Sequence, residues 1–191
     1  MVIIVINKII LASASPRRQE LLKVIVNKFD IIPADIDESI SDDIKVELRP
    51  EKIAQRKALH IAKEHPDSLI IGCDTAVIVD GIMLGKPKDE QDAVKMLKTL
   101  SGRTHKVITG NCLVKGNKEI CFSVTTEVEF YSLSDSEIDE YIKTNDWKDK
   151  AGAYGIQGKA GLFVKQIKGD YNNVVGLPCA ELNRQLKVFS S

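Results

Sequence analysis

Residues 68–87 read SLIIGCDTAVIVDGIMLGKP, and how this stretch divides decides the fold. An apolar run from Leu69 passes through Asp74 and stops at Asp80-Gly81, after which Ile82, Met83 and Leu84 resume it. Asp-Gly between two apolar runs is a strong hairpin signal, because both residues accept the positive φ that a two-residue turn requires. The stretch is therefore expected to form a hairpin whose first strand carries a carboxylate in its middle.

Working outward, helical periodicity covers about Pro50 to Glu64 on one side and Asp89 to Leu100 on the other. Upstream lie a strand ending over Ile9–Ala12, a helix from Pro16 to Val26 with Ser15 as its N-cap, and a strand from Phe29 to Pro33. Residues 34–49, ADIDESISDDIKVELR, are acidic and weakly periodic, which reads as a loop over a site. Downstream, Thr104 to Tyr131 gives two long strands around Gly116-Asn117. In the second of them Ile120, Phe122, Val124, Val128 and Phe130 alternate, interrupted only by Thr126, as in a half-buried antiparallel strand. A helix from Ser134 to Lys143, the glycine-rich segment AGAYGIQGKAG (151–161), a strand over FVKQIKG and a helix beginning at Pro178 complete the chain. Helices interleaved with hairpins and single strands imply an α/β fold, a mixed twisted sheet flanked by helices, with strand order left open.

The 191 residues suit a single domain, 1–191, and neither a linker nor a repeat divides them. Basic and acidic residues number 27 each, so no global field draws the protein to nucleic acid or to an anionic membrane, and any anion site must be local. The N-terminus, MVIIVINKIILAS, lacks a basic leading region, and Asn7 and Lys8 interrupt its apolar run. It reads as a first strand with a short leading extension, in a cytoplasmic protein without a membrane span. Cys73, Cys112, Cys121 and Cys179 are widely spaced with no zinc pattern, and are expected to be free thiols in a reducing compartment.

Several residues could carry chemistry. Arg17 and Arg18 occupy the first turn of the first helix, where the macrodipole is already positive and a cation costs roughly 0.3–1 kcal/mol. A bound polyanion would reverse that cost, since backbone N–H groups, the dipole and two guanidiniums would face the same phosphate. Asp74 lies among core-strand residues and needs a cation, a metal or a strand-end position; with a metal it could orient and deprotonate water. Asp35, Asp37 and Glu38 in the acidic loop, together with Lys57 and Lys86, supply the remaining parts for holding a polyphosphate and its metal. In the glycine-rich segment Gln157 both donates and accepts, as reading a base edge requires. Neither a dinucleotide fingerprint nor a P-loop is present. Cys73 with His105 has no matching orienting group and is disfavoured as a nucleophilic pair.

LASASPRRQELL, GCDTAV, GKP, SGRTHKVITG, DKAGAYGIQG and GDYNNVVGLP occur in the order seen in the Maf family of nucleotide pyrophosphatases, which the chain resembles from about Lys8 to its last helix. That resemblance implies a metal-dependent hydrolase that cuts a nucleoside triphosphate between its α and β phosphates. It also implies a fold similar to inosine triphosphate pyrophosphatases, with two lobes around a cleft, in a family whose members often form homodimers. Carried over by motif, Ser13, Arg17 and Arg18 match the phosphate-binding turn, Glu38 an acidic metal-site residue and Lys57 the helix lysine. Asp74 matches the proton acceptor and a metal ligand, Thr75 its neighbour in substrate recognition, and Lys86 the lysine of the GKP turn. Gln157 matches the glutamine of the branch preferring dTTP and UTP, with Mg²⁺ or Mn²⁺ as cofactor. The alternative is a non-hydrolytic nucleotide sensor that regulates division or septum formation through the same cationic residues.

Overall fold

The Asp80-Gly81 turn forms as the sequence requires. Backbone φ is 51° at Asp80 and 73° at Gly81, and the turn joins β3 (Leu69–Val79) to β4 (Ile82–Leu84) as an antiparallel pair. The computed structural model describes residues 8–190; the leading extension expected before the first strand lies outside them. β1 (Ile9–Leu11) runs parallel to β3 and to the short β2 (Asp30–Ile31). The two long strands are β5 (Thr104–Lys115) and β6 (Lys118–Phe130), joined by Gly116-Asn117, and β7 (Val164–Lys168) pairs antiparallel with β6. The seven strands are ordered β2-β1-β3-β5-β6-β7, with β4 on β3, so the expected α/β mixed sheet is present.

The helices are α1 (Pro16–Lys23), α2 (Arg49–Ala62), α3 (Glu90–Leu100), α4 (Asp135–Ile142), α5 (Tyr171–Val175) and α6 (Cys179–Ser190). Their starts follow the sequence. Ser15 caps α1 with its side chain, Asp89 caps α3, and Ser134 with Glu137 closes a capping box on α4. α1 is shorter than its apolar pattern suggested, because the chain turns after Lys23, and α5 was not expected at all. None of the described helices is long and apolar enough to cross a membrane.

By packing, the chain divides into two compact units. The first holds the chain through Asp74, Thr109–Val124 and the chain from Gly176; the second holds Thr75–Ile108 and Thr125–Val175. In the first unit the strands are covered on both faces, which is why β3 begins as a near-continuous apolar run. Leu69, Ile71 and Cys73 join Leu22 of α1 and Leu182, Leu186 and Phe189 of α6. Ile70 faces the other way, toward Ala54, Ala58 and Ile61 of α2. In the second unit Val77, Val107, Val128 and Phe130 pack with Ala93 and Leu97 of α3, Ile138 and Ile142 of α4, and Trp147, Tyr154 and Phe163.

The cysteine expectation needs correction at one pair. Cys112 and Cys121 form a disulfide, with Cα atoms 4.1 Å apart, while Cys73 and Cys179 are buried thiols. Three residues separate each bonded cysteine from the Gly116-Asn117 turn, so the hairpin sets them side by side across β5 and β6. Their separation in sequence carries no motif; only the register of the hairpin reveals the pair.

Candidate active site

Alternation along β3 puts Gly72 and Asp74 on the face that meets α2, and Gly72 lets the helix come close. A Cβ at Gly72 would stand 2.1 Å from the Ala54 carbonyl oxygen, and one at Gly110 on β5 would stand 2.3 Å from the Glu51 nitrogen. With its backbone against the sheet, α2 carries Lys57 inward. Lys57 is buried, and its Nζ lies 2.9 Å from Asp74 Oδ1 and 2.7 Å from Glu38 Oε1. The acidic loop therefore supplies Glu38 to the same ammonium that holds the strand carboxylate. This burial excludes an ordinary surface role for Lys57.

Burial raises the pKa of Asp74 above the usual carboxylate range, while Lys57 first and Arg18 second pull it back. Asp74 is thus a carboxylate whose burial makes it more basic than one in water, while the Lys57 and Arg18 charges favour its ionised form, the character a general base needs.

At the start of α1, Pro16 supplies the fixed φ of the first helical turn and Ser15 Oγ accepts from the Arg18 N–H at 3.5 Å. Ser13 is buried, and its Oγ accepts from the Ser15 N–H at 3.3 Å and from Arg18 Nη1 at 3.2 Å. Arg18 also donates from Nη1 to the Cys73 carbonyl at 2.9 Å and from Nε to the Gly176 carbonyl at 3.0 Å. Carbonyl dipoles of β3 and of the segment before α6 thus offset the cost of placing Arg18 at the positive end of α1. Arg17 stands half-buried beside it.

In the second unit, Thr75 follows Asp74 on β3 and is half-buried, whereas Lys86 and Gln157 are exposed. The GKP turn and the glycine-rich segment touch, with the Gly152 N–H donating to the Gly85 carbonyl at 3.0 Å. Gly152 has φ 66°, and a Cβ there would meet the Val77 side chain at 3.0 Å; Ala153 also has positive φ, at 62°. Such backbone settings are tolerated only where neighbours hold them. One hold is the buried pair His105 and Tyr154, with Nε2 and the phenol oxygen 2.8 Å apart.

This arrangement disposes of the thiol reading. Burial pushes the Cys73 thiol up to about 11, and its Sγ donates to Asn111 Oδ1 at 3.4 Å, so it is neither ionised at neutral pH nor paired with His105. Sequence reasoning did not single out Gly72, Gly110, Asn111, Tyr154 or Arg56. Gly72 had a usable signal, since a glycine two residues before a strand carboxylate marks a backbone that something approaches closely.

A hard divalent cation takes oxygen ligands, and Mg²⁺ is commonly held by one or two carboxylates together with substrate phosphates. Glu38 and Asp74, already converging on one positive charge, form a donor set of that kind. Cys112, Glu119 and Cys121 also cluster, but their two sulfurs are bonded to each other.

Comparison with known proteins agrees with this architecture. The chain is similar to the dTTP/UTP pyrophosphatase of Bacillus cytotoxicus, 46% identical over 97% of each chain. It is 48% identical to that of Clostridioides difficile, over 96% of this chain and 95% of the other. Its fold is similar to the Staphylococcus aureus Ham1 protein, with a TM-score of 0.58 at 18% identity, covering 95% of this chain and 99% of the other. The family model described as Maf-like protein matches residues 8–189, and the chain belongs to that family.

Proposed function

We propose that this protein hydrolyses dTTP and UTP to the nucleoside monophosphate and pyrophosphate, with Asp74 as the base that takes a proton from the attacking water. The observation that carries this reading is the buried Lys57 bonded at once to Asp74 and Glu38. The activity named for relatives sharing nearly half the sequence over nearly its full length supports the substrate assignment. The match of one family model to residues 8–189 supports reading both units as one catalytic domain.

Glu38 and Asp74 are the residues assigned to hold Mg²⁺ or Mn²⁺, which when bound supplies positive charge to the phosphates. Lys57 orients both carboxylates and favours the ionised form of Asp74. Arg17, with the N-terminal N–H groups of α1, is assigned to the triphosphate, and Ser13 and Arg18 shape that turn. Lys86 adds a further cation. Thr75 and Gln157 are assigned to base recognition, Gln157 because its amide offers both donor and acceptor from an exposed position. The homodimer suggested by the family resemblance belongs to the same proposal and is checked by sedimentation.

The test is pyrophosphate release from a panel of triphosphates with Mg²⁺ or Mn²⁺. dTTP and UTP should be cleaved at least about tenfold faster than purine triphosphates, consistent with a polar pairing worth more than ~1.4 kcal/mol. Gln157→Glu should narrow that gap more than it slows the purine substrates. A flat panel, or one dominated by purines, contradicts the substrate assignment.

A further inference from the structure

Glu38 reaches Lys57 from a loop, and its side chain is 54% exposed. Left to itself, a carboxylate on such a loop samples many positions and meets Lys57 only part of the time. The same loop is gripped by Arg56, exposed and one position before Lys57 on α2. Its Nη1 donates to the Ser39 carbonyl and its Nη2 to the Asp37 carbonyl, each at 2.6 Å. Glu38 is the residue between them. A second device tightens the same turn, with the Ser39 N–H and Oγ donating to the two carboxylate oxygens of Asp37 at 2.9 and 2.6 Å.

We infer that Arg56 is a positioning residue for the reaction: its guanidinium straps the backbone on both sides of Glu38 to α2, and so fixes the Glu38 carboxylate against Lys57 and Asp74. The inference rests on the proposed reading of Glu38 and Asp74 as holders of the divalent cation. Two neighbouring residues of one helix divide the work, Arg56 gripping the loop's main chain and Lys57 its carboxylate. The rigidity comes from α2, whose Ala54 and Ala58 pack in the core. Only a planar fork can serve two carbonyls in one fixed geometry; a lysine has the charge without the fork. Exposed bonds of this sort add little to global stability, so their consequence lies in placement.

Five proteins and two readouts test this: wild type, Arg56→Ala, Arg56→Lys, Glu38→Gln, and Arg56→Ala built on Glu38→Gln. Mn²⁺ binding is followed by calorimetry, and amide exchange is followed over residues 36–41 without metal. Arg56→Ala should weaken Mn²⁺ binding about tenfold or more, the usual size for loss of a residue that orients a ligand. It should also strip protection from the Ser39 amide, and Arg56→Lys should restore neither property. On Glu38→Gln, adding Arg56→Ala should leave Mn²⁺ binding unchanged. Wild-type affinity in Arg56→Ala, full rescue by lysine, or an undiminished effect in the Glu38→Gln background would each overturn the inference. Should wild type bind no Mn²⁺ and release no pyrophosphate, the metal reading itself fails; retained protection at Ser39 in Arg56→Ala would separately sink the strap.

Discussion

His105 shows how much a single residue can depend on its surroundings. It packs edge-on against Phe130 and Tyr154, and burial pushes its pKa from near 6.5 down to about 4. Its Nδ1 has no hydrogen-bond partner among the described residues, so protonating the ring would bury an N–H with nothing to accept from it. Between about pH 6.5 and 4 the unfolded chain therefore binds a proton that the folded one refuses, and stability falls as pH is lowered through that window. From pH 7 to pH 5 this residue should remove about 2 kcal/mol. Urea midpoints should fall more steeply with acid in wild type than in His105→Gln; parallel slopes would count against a buried neutral imidazole. At this scale the sequence was legible where a residue type clashed with its context, as with Asp74 in an apolar strand or arginines at a helix start. It was silent where a partner came from far along the chain: the carbonyls of Cys73 and Gly176 on Arg18, or Tyr154 on His105.

Among the elements, α2 carries the account, because it must lie flat against β3 for Lys57 to reach Asp74. Gly72→Ala should therefore do two things at once. The new methyl would press on the Ala54 carbonyl, costing about 1–3 kcal/mol of stability as overpacking does. It would also lift Lys57 off Asp74 and lower kcat well beyond the loss of folded protein, read by comparing turnover with the urea midpoint. Normal stability and turnover in Gly72→Ala would mean that close docking is not required. Element types and most boundaries followed from caps, turns and periodicity. Thr126 explains one apparent fault in the pattern: it sits at an inward position of β6, yet is buried and fully bonded. Its hydroxyl donates to the Asp170 carbonyl at 3.1 Å and accepts from the Asp170 N–H at 3.1 Å and Asn173 Nδ2 at 2.9 Å. The Cys112–Cys121 disulfide escaped notice for a similar reason, since register is a property of paired strands and not of either alone.

At the scale of the whole molecule, one polypeptide builds two compact units. The strand alternation and the family motifs foretold an α/β mixed sheet. The order of its strands was not foretold, because long-range pairing leaves no local trace. The acidic loop read as lying over a site, but the contact of Glu38 with Lys57 left no local trace either. The central claim is that Asp74 serves as base for cleavage between the α and β phosphates. Loss of a general base usually costs about 10²–10⁴-fold in rate. The direct measurement follows dTTP with Mg²⁺ by ³¹P NMR in wild type and in Asp74→Asn, alongside dTTP binding by each. Wild type should yield dTMP and pyrophosphate, and the variant should bind dTTP but turn it over at least about a hundredfold more slowly. Near-normal turnover by Asp74→Asn, or release of dTDP and orthophosphate by wild type, would contradict the account.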